Sequence, residues 1–317
     1  MLCRVLDRLN SLAAMPSPTI LVTGASSGIG RATVAACAAR GRGVAATMRR
    51  PEDAGDMASR SGVIVLPLDV TSDESVVSAV AAVVAEFGRL DAVVNNAGYA
   101  VNGVFEGADD ASIRRQFETN VFGLMRVTRA AIPVMRRQGS GTLVQVSSMG
   151  GRVTFPLYSI YHATKWAVEG FSESLSFELR PFGIRVKLVE PGAIRTDFYG
   201  RSREQVATPA GGGYDELVAR CEGISMSAGR EGGSGPEVVA DTIIRAITDR
   251  SWRLRYPVAA PAAMLMTLRK ILPEAWFLRL IRRRYGIRGE QPSGGPSRGG
   301  AVPTVKEGSR RGRFEGR

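Results

Sequence analysis

Histidine is almost missing from this 317-residue chain: His162 is the only one. That excludes a metal site built on two imidazoles. A Ser-His-Asp hydrolase would have to use that single residue as its base. Cysteine is nearly as scarce. Cys3, Cys37 and Cys221 lie far apart and are odd in number, so neither a disulfide framework nor a zinc cluster is indicated, no metal is expected, and a reducing compartment such as the cytoplasm fits best. No apolar run reaches the roughly 20 residues of a membrane-spanning helix. The opening "MLCRVLDRLNSL" carries Arg4, Asp7 and Arg8, which break the apolar core of a secretory signal. Leu2, Val5, Leu6 and Leu9 fall at helical spacing. Residues 1–18 therefore read either as a short amphipathic arm or as an extension ahead of a natural start at Met15.

Apolar residues make up 44% of the chain, an ordinary share for a globular protein with a real core. The net charge of +12 is unevenly spread. From Arg279 to Arg317 there are eleven Arg or Lys against three Glu, a net of +8, which leaves only +4 for the rest. The charge belongs to a tail and not to a nucleic-acid-binding face, so no nucleic-acid partner is expected of the domain.

Short β-branched runs alternate with longer Ala-rich ones. "TILVT", "GVAATM", "VIVLPL", "DAVVN", "GTLVQVSS" and "IRVKLVE" read as strands. Between them lie helical runs, including 72–88 with Ser72 as N-cap, one reaching about Arg137, and one from about Ser159 to Leu179. Non-alternating strands separated by helices imply α/β architecture, a doubly wound parallel sheet covered on both faces. From Arg195 to Pro236 the pattern weakens, and "PAGGGYDE" and "GREGGSGP" read as flexible. "PEVVADTIIRAITDR" returns to helix and "WRLRYPV" suits a last strand. The expected layout is an N-terminal extension at 1–18, a Rossmann-type domain at 19–258 with a substrate loop at 197–235, a C-terminal helical segment at 259–288, and a disordered basic tail at 289–317.

"TGASSGIG" follows the first strand and opens a helix. Gly24 permits a tight turn, Gly28 lets a phosphate approach the backbone, and Gly30 allows close helix–sheet packing. The helix N-terminus then meets a pyrophosphate. The end of the second strand chooses the cofactor. An acid there would hold a ribose 2′-hydroxyl, but Met48 stands in its place and Arg49 and Arg50 follow. A guanidinium suits a 2′-phosphate, so NADP is favoured over NAD, with Arg49 as its partner. Glu52 and Asp53 fall on the next surface turn.

The TGxxxGxG spacing resembles the short-chain dehydrogenase/reductase family. "NNAG" at 95–98, "TNVFG" at 119–123 and "PGAIRT" at 191–196 agree with it, as does "SSMGGRVTFPLYSIYHATK", in which Ser148 stands thirteen residues before Tyr161 and Lys165 four after it. The resemblance runs from about Thr19 to Thr196 and loosely to 258. It looks most like the hydroxysteroid, retinol and carbonyl reductase branches. Thr164 replaces the serine common in the motif and keeps its hydroxyl. The resemblance implies cofactor contacts from Ser26, Ser27 and Ile29 of the turn. It adds Asp69 and Val70 at the adenine, Asn96, Ala97 and Gly98 after the fourth strand, and Pro191, Gly192 and Thr196 after the sixth. Asp69 also reads as the start of a helix cap.

A phenol with an unperturbed pKa of about 10 is a poor acid–base group at neutral pH. A nearby ammonium favours the phenolate, and a Tyr161/Lys165 pair at i,i+4 projects from one helix face. By the resemblance, Tyr161 is the general acid/base, Lys165 also holds the nicotinamide ribose, Ser148 binds the substrate oxygen, and Asn120 holds a proton-relaying water. Ser147 competes with Ser148, and the thirteen-residue spacing favours Ser148. Adjacent helix positions diverge by about 100°, so His162 is expected to point away from the site and to pack. The activity implied is hydride transfer between NADP(H) and an apolar secondary alcohol or ketone, with a retinol-type or 3-oxoacyl reductase as the alternative. From other classes, a catalytically silent dinucleotide sensor and a surface-binding protein acting through its tail remain. Homo-oligomers are usual in the family.

In "PAAMLMTLRKILPEAWFLRLIRRRYG", Pro261 and Pro273 each suit a first helical turn, so two short helices are expected. Trp276, Phe277, Leu280 and Ile281 share one face of the second, and Arg279, Arg282 and Arg283 another. That pattern fits a helix packed on the domain, or one that touches anionic membrane beside an apolar substrate entrance.

Overall fold

A computed structural model describes residues 18–195, 203–230 and 233–287. The N-terminal arm with Cys3 and Met15, the cofactor candidate Thr196, and the basic tail from Gly289 lie outside the described residues. The strands, in chain order, are β1 (Thr19–Thr23), β2 (Gly43–Met48), β3 (Val63–Pro67), β4 (Ala92–Asn95), β5 (Ala100–Asn102), β6 (Gly141–Val146), β7 (Ile184–Pro191), β8 (Arg203–Gln205) and β9 (Arg255–Val258). The α-helices are α1 (Gly28–Ala38), α2 (Asp73–Phe87), α3 (Asp110–Phe117), α4 (Leu124–Gln138), α5 (Ser159–Leu179), α6 (Asp215–Arg230), α7 (Pro236–Thr248), α8 (Ala260–Ile271) and α9 (Glu274–Arg284).

Seven strands form one parallel sheet in the order β3-β2-β1-β4-β6-β7-β9. This is the doubly wound, Rossmann-type arrangement that the strand–helix alternation predicts. Successive side chains of a strand point to opposite faces, and both faces are apolar. Ile20 and Val22 of β1 pack with Val34 of α1 and Val239 and Ile243 of α7. Leu21, between them, packs on the other face with Val80 and Val83 of α2 and Val127 and Met135 of α4. The two covered faces explain why the strands lack polar alternation. The strand order reverses between β1 and β4, and in such sheets the crevice at that point, beyond the strand ends, is where ligands bind.

Local chemistry sets several boundaries. Ser72 caps α2 as expected, its hydroxyl accepting the Ser75 N–H at 3.2 Å. Gly88, with φ 71°, ends that helix. The helix expected to run to about Arg137 is two helices joined by a π turn over Glu118–Gly123, which contains Asn120. Such turns recur at functional sites. Glu52 and Asp53 begin a 3₁₀ segment after β2, the surface turn expected for them.

The segment between Arg195 and Pro236 departs from the expected flexible loop. It holds the three-residue strand β8, paired in parallel with β5, and the helix α6. Leu217, Cys221 and Ile224 lie at helical spacing and join an apolar cluster with Phe277, Ile281 and Tyr285. Glycines on both sides of α6 obscure that short period in the sequence. The two C-terminal helices form as expected, but the expected apolar face of α9 is split. Phe277 and Ile281 are buried, whereas Trp276 is 67% and Leu280 44% exposed. Neighbouring helix positions sit about 100° apart, too wide a stripe for one contact. Among the described residues, no helix is long and apolar enough to cross a membrane.

Candidate active site

The glycine turn between β1 and α1 is built for close approach. Gly24 has φ 65°, and a Cβ there would stand 2.9 Å from Ala97 Cα. A Cβ on Gly30 would stand 2.3 Å from the Gly24 carbonyl oxygen, so only glycine fits at either place. Asn96 buckles the turn, its side-chain amide donating to the carbonyls of Thr23 at 2.9 Å and Gly24 at 3.0 Å. Thr23 completes the lock. Its hydroxyl accepts the backbone N–H groups of Asn96 and Ala97, each at 3.0 Å. The sequence reading missed Thr23, although a hydroxyl directly before the first glycine of the turn is a usable signal.

A cavity of about 1340 Å³ starts at this turn and runs across the strand ends. Gly24, Ser26, Ser27, Gly28 and Ile29 line its beginning, and Arg49, Asp69 and Val70 flank that end. Asn96, Ala97 and Gly98 follow at the centre, then Ser148, Tyr161 and Lys165, and then Pro191 and Gly192. Two predicted residues lie off the wall. Gly30 is beneath the turn, for the packing reason given above. Asn120 is buried, its amide donating to the Tyr99 carbonyl at 2.8 Å and the Thr164 hydroxyl at 3.2 Å. Its Oδ1 accepts the Tyr99 N–H at 3.1 Å, so its side chain binds protein on both ends.

At the end of β2 Met48 is buried, and Arg49 is exposed on the cavity wall. Arg50 turns away and pairs with Asp53 at 3.0 Å. Asp69 does not cap α2, whose N-cap is Ser72. Asp69 lines the cavity, and its carboxylate also accepts from the Thr71 N–H at 2.9 Å and hydroxyl at 2.8 Å.

Tyr161 and Lys165 stand one turn apart on α5, with the Lys165 Nζ 5.8 Å from the Tyr161 ring centroid. Nζ donates to the Val146 carbonyl at 2.9 Å. Burial pushes the Lys165 ammonium down to about 8, opposed by the charge of Glu169. A lowered but still largely charged ammonium at neutral pH is suited to proton exchange with a neighbouring phenol. The Ser148 hydroxyl accepts the Gly150 N–H at 3.0 Å, which leaves its proton to donate. Ser147 also lines the cavity, and its hydroxyl lies beside the Glu169 stem and Gly151.

His162 packs, as expected, but it does not turn away from the site. It borders the cavity, with its ring centroid 5.9 Å from that of Tyr161. The Phe155 backbone N–H donates to Nε2 at 2.9 Å, so the proton sits on Nδ1, 2.9 Å from the Gly150 carbonyl. Burial drives the imidazole down to about 4, which keeps it neutral. Beyond it, Phe155, Ile224, Leu265 and Ile281 give the far end an apolar wall, with Arg203, Glu204 and Arg284 also on the lining.

The model of the short chain dehydrogenase family matches residues 18–207. The chain belongs to that family. It is 33% identical over 275 residues to the 3-ketodihydrosphingosine reductase of Bacteroides thetaiotaomicron, covering 86% of this chain and all of that one. It is 37% identical over 243 residues to retinol dehydrogenase 8 of Bos taurus, with 72% and 77% covered. The crystal structure of a short-chain dehydrogenase from Streptomyces avermitilis superimposes with a TM-score of 0.74 at 35% identity, covering 87% of this chain and all of that one. As a short-chain dehydrogenase the chain is an oxidoreductase, of a family that works on small substrates with a nicotinamide dinucleotide. The tight glycine turn at the start of α1, which leaves no room for a Cβ at Gly24 or Gly30, fits such a cofactor.

Proposed function

We propose that this short-chain dehydrogenase transfers hydride between NADP(H) and an apolar secondary alcohol or ketone, with Tyr161 as general acid/base. The observation that carries the reading is that Tyr161, Lys165 and Ser148 line the same cavity as the glycine turn. When bound, the nicotinamide supplies or accepts the hydride. The backbone of Ser26 to Ile29 would hold the pyrophosphate at the start of α1, and Lys165 the ribose beside the nicotinamide. Tyr161 gives its phenolic proton to the carbonyl oxygen, or takes one from the alcohol in reverse. Ser148 donates to the same oxygen and stabilises the charge that gathers there. Asn120 acts through Tyr99 and Thr164, whose positions it fixes.

Arg49, on the cavity wall where an acid would select NAD, supports NADP. The apolar wall at the far end supports an apolar substrate, and retinol-type and 3-oxoacyl substrates are the alternatives within this reading. A panel of carbonyls and alcohols assayed with NADPH and NADH, read by absorbance of the reduced nicotinamide, tests it. No turnover of any apolar ketone or alcohol with either cofactor would reject it.

The proposed setting is the cytoplasm, at a membrane surface. Trp276 and Leu280 are exposed on α9, Leu280 borders the cavity, and Arg279, Arg282 and Arg283 are on the same short helix. An apolar face beside arginines is what an anionic bilayer surface binds. A homo-oligomer is proposed through α4 and α5, where Phe122, Trp166 and Phe177 are exposed beside or on those helices.

A further inference from the structure

Behind Lys165 lies a cluster of buried charge that the proposed chemistry does not use. Glu169 stands one turn beyond Lys165 on α5 and is 4% exposed, and Glu190 of β7 is 2% exposed. Arg255 of β9 reaches both, its Nε 3.1 Å from Glu169 Oε2 and 3.8 Å from Glu190 Oε1. Its Nη2 also meets Glu173 at 2.5 Å. Arg152, from the turn after β6, comes within 3.7 Å of Glu190 Oε1.

Gly151 marks how near this cluster is to the catalytic candidates. A Cβ on it would stand 2.9 Å from Glu169 Cγ, 2.9 Å from Ser147 Oγ and 3.1 Å from the Lys165 carbonyl oxygen. The stem of Glu169, the hydroxyl of Ser147 and the backbone of Lys165 thus converge on Gly151, three residues after Ser148. Burying a carboxylate costs several kcal/mol unless it is paired. Arg255 alone does not call for Glu169, because Glu173 already pairs with it nearer the surface. Lys165 does: its buried Nζ donates to a neutral carbonyl, and an opposite charge at i+4 favours the charged form of an ammonium.

We propose that Glu169, buried one turn below Lys165 and held by Arg255, is a positioning residue of the active site whose negative charge supports the Lys165 ammonium. The proposal rests on the proton-transfer role given to Tyr161 and Lys165. The charged and titratable groups around Glu169 are Lys165 and Glu173 on its own helix, Arg152 after β6, Glu190 on β7 and Arg255 on β9. Burial raises both carboxyls. Arg255 Nε stands nearer Glu169, at 3.1 Å, than Glu190, at 3.8 Å, so the negative charge of the pair rests on Glu169.

The chain has lysine at only four positions, 165, 187, 270 and 306. Carbon NMR of lysine labelled at the ε position, with Lys165→Arg to assign the signal, follows Lys165 directly in the full chain without cofactor or substrate. In Glu169→Gln its transition is expected to fall by about one pH unit, a tenfold loss of proton affinity. The alkaline limb of the reductase pH profile should move down with it. Glu169→Met is a second way to remove the charge, and Arg255 keeps Glu173 and Glu190 as partners in it. Glu190→Gln leaves the charge on Glu169 and is expected to move Lys165 less than about half as far.

An unchanged Lys165 transition in both charge-removing variants overturns the proposal, and so does an equal fall in Glu190→Gln. A purely structural Glu169 would lower kcat at every pH without moving the limb, which also overturns it. The NMR titration does not depend on turnover. Full activity in Tyr161→Phe would therefore reject the proton-transfer reading and leave the Lys165 result standing.

Discussion

Nε2 of His162 accepts the backbone N–H of Phe155 at 2.9 Å, so the residue next to Tyr161 along the helix fastens the loop that walls the cavity. This imidazole is neutral in the folded protein, pushed down to about 4 from 6.5. The unfolded chain therefore takes up a proton between those values that the folded chain does not. Stability present above pH 6.5 is lost as pH falls toward 4, by at most about 1.4 kcal/mol per pH unit. Glu190, raised by burial, titrates with the opposite sign in an overlapping range. The measure is thus the difference between wild type and His162→Asn in urea unfolding at a series of pH values. The expected outcome is that the gap narrows as pH falls from 6.5, and a constant gap contradicts it.

Proton transfer is tested at Tyr161. Tyr161→Phe should lower turnover by about 10²–10⁴-fold or more while cofactor affinity stays nearly intact. Lys165→Ala should damage both. Steady-state rates and cofactor titrations separate the two, and near-wild-type turnover in Tyr161→Phe contradicts the mechanism.

Cofactor choice is tested at Arg49. Arg49→Asp replaces a phosphate partner with a repelling carboxylate, so NADPH binding should weaken and NADH binding improve. Titrating both cofactors against both proteins measures the ratio. A ratio that does not move removes Arg49 from the 2′-phosphate site.

Membrane contact is tested on the exposed face of α9. Trp276→Glu should abolish binding to anionic liposomes at low salt and raise KM for apolar substrates. Its unfolding midpoint should stay within the usual range for a surface change, because Trp276 is 67% exposed. A full-length protein that does not sediment with such liposomes rules the contact out.

The regular part of the fold was legible because its signals are local. "TILVT" is β1 to the residue, and Ser159 to Leu179 is α5 to the residue. Ser72 announced its cap by type and place. The π turn at Glu118–Gly123 was not legible, since its residues read as continuous helix. β5 and β8 are three residues each and exist by pairing across about a hundred positions, which no local pattern carries. The glycine turn was readable from its place between a strand and a helix, whereas Ser148, Tyr161 and Lys165 were reached through the family resemblance that their joint spacing carries. Thr23 and Glu169 are bonded to partners distant in sequence, Asn96 and Ala97 for the one and Arg255 for the other, and His162 could not be placed by helix geometry without knowing where the cavity opens.

The packing of α7 against α1 has a consequence for how the protein is made. The glycine turn and α1 leave the ribosome early, yet Val34 and Cys37 of α1 share their core with Val239 and Ile243 of α7, and Arg40 pairs with Asp241 at 3.1 Å. Until synthesis passes Thr248, the helix that begins at the cofactor turn has an uncovered apolar side, and β7 lacks its neighbour β9. The nascent chain must therefore carry a nearly complete sheet with one bare flank, the kind of surface that chaperones hold. Cofactor binding, which needs that helix in place, is correspondingly a late event in the life of each chain rather than a seed for its folding.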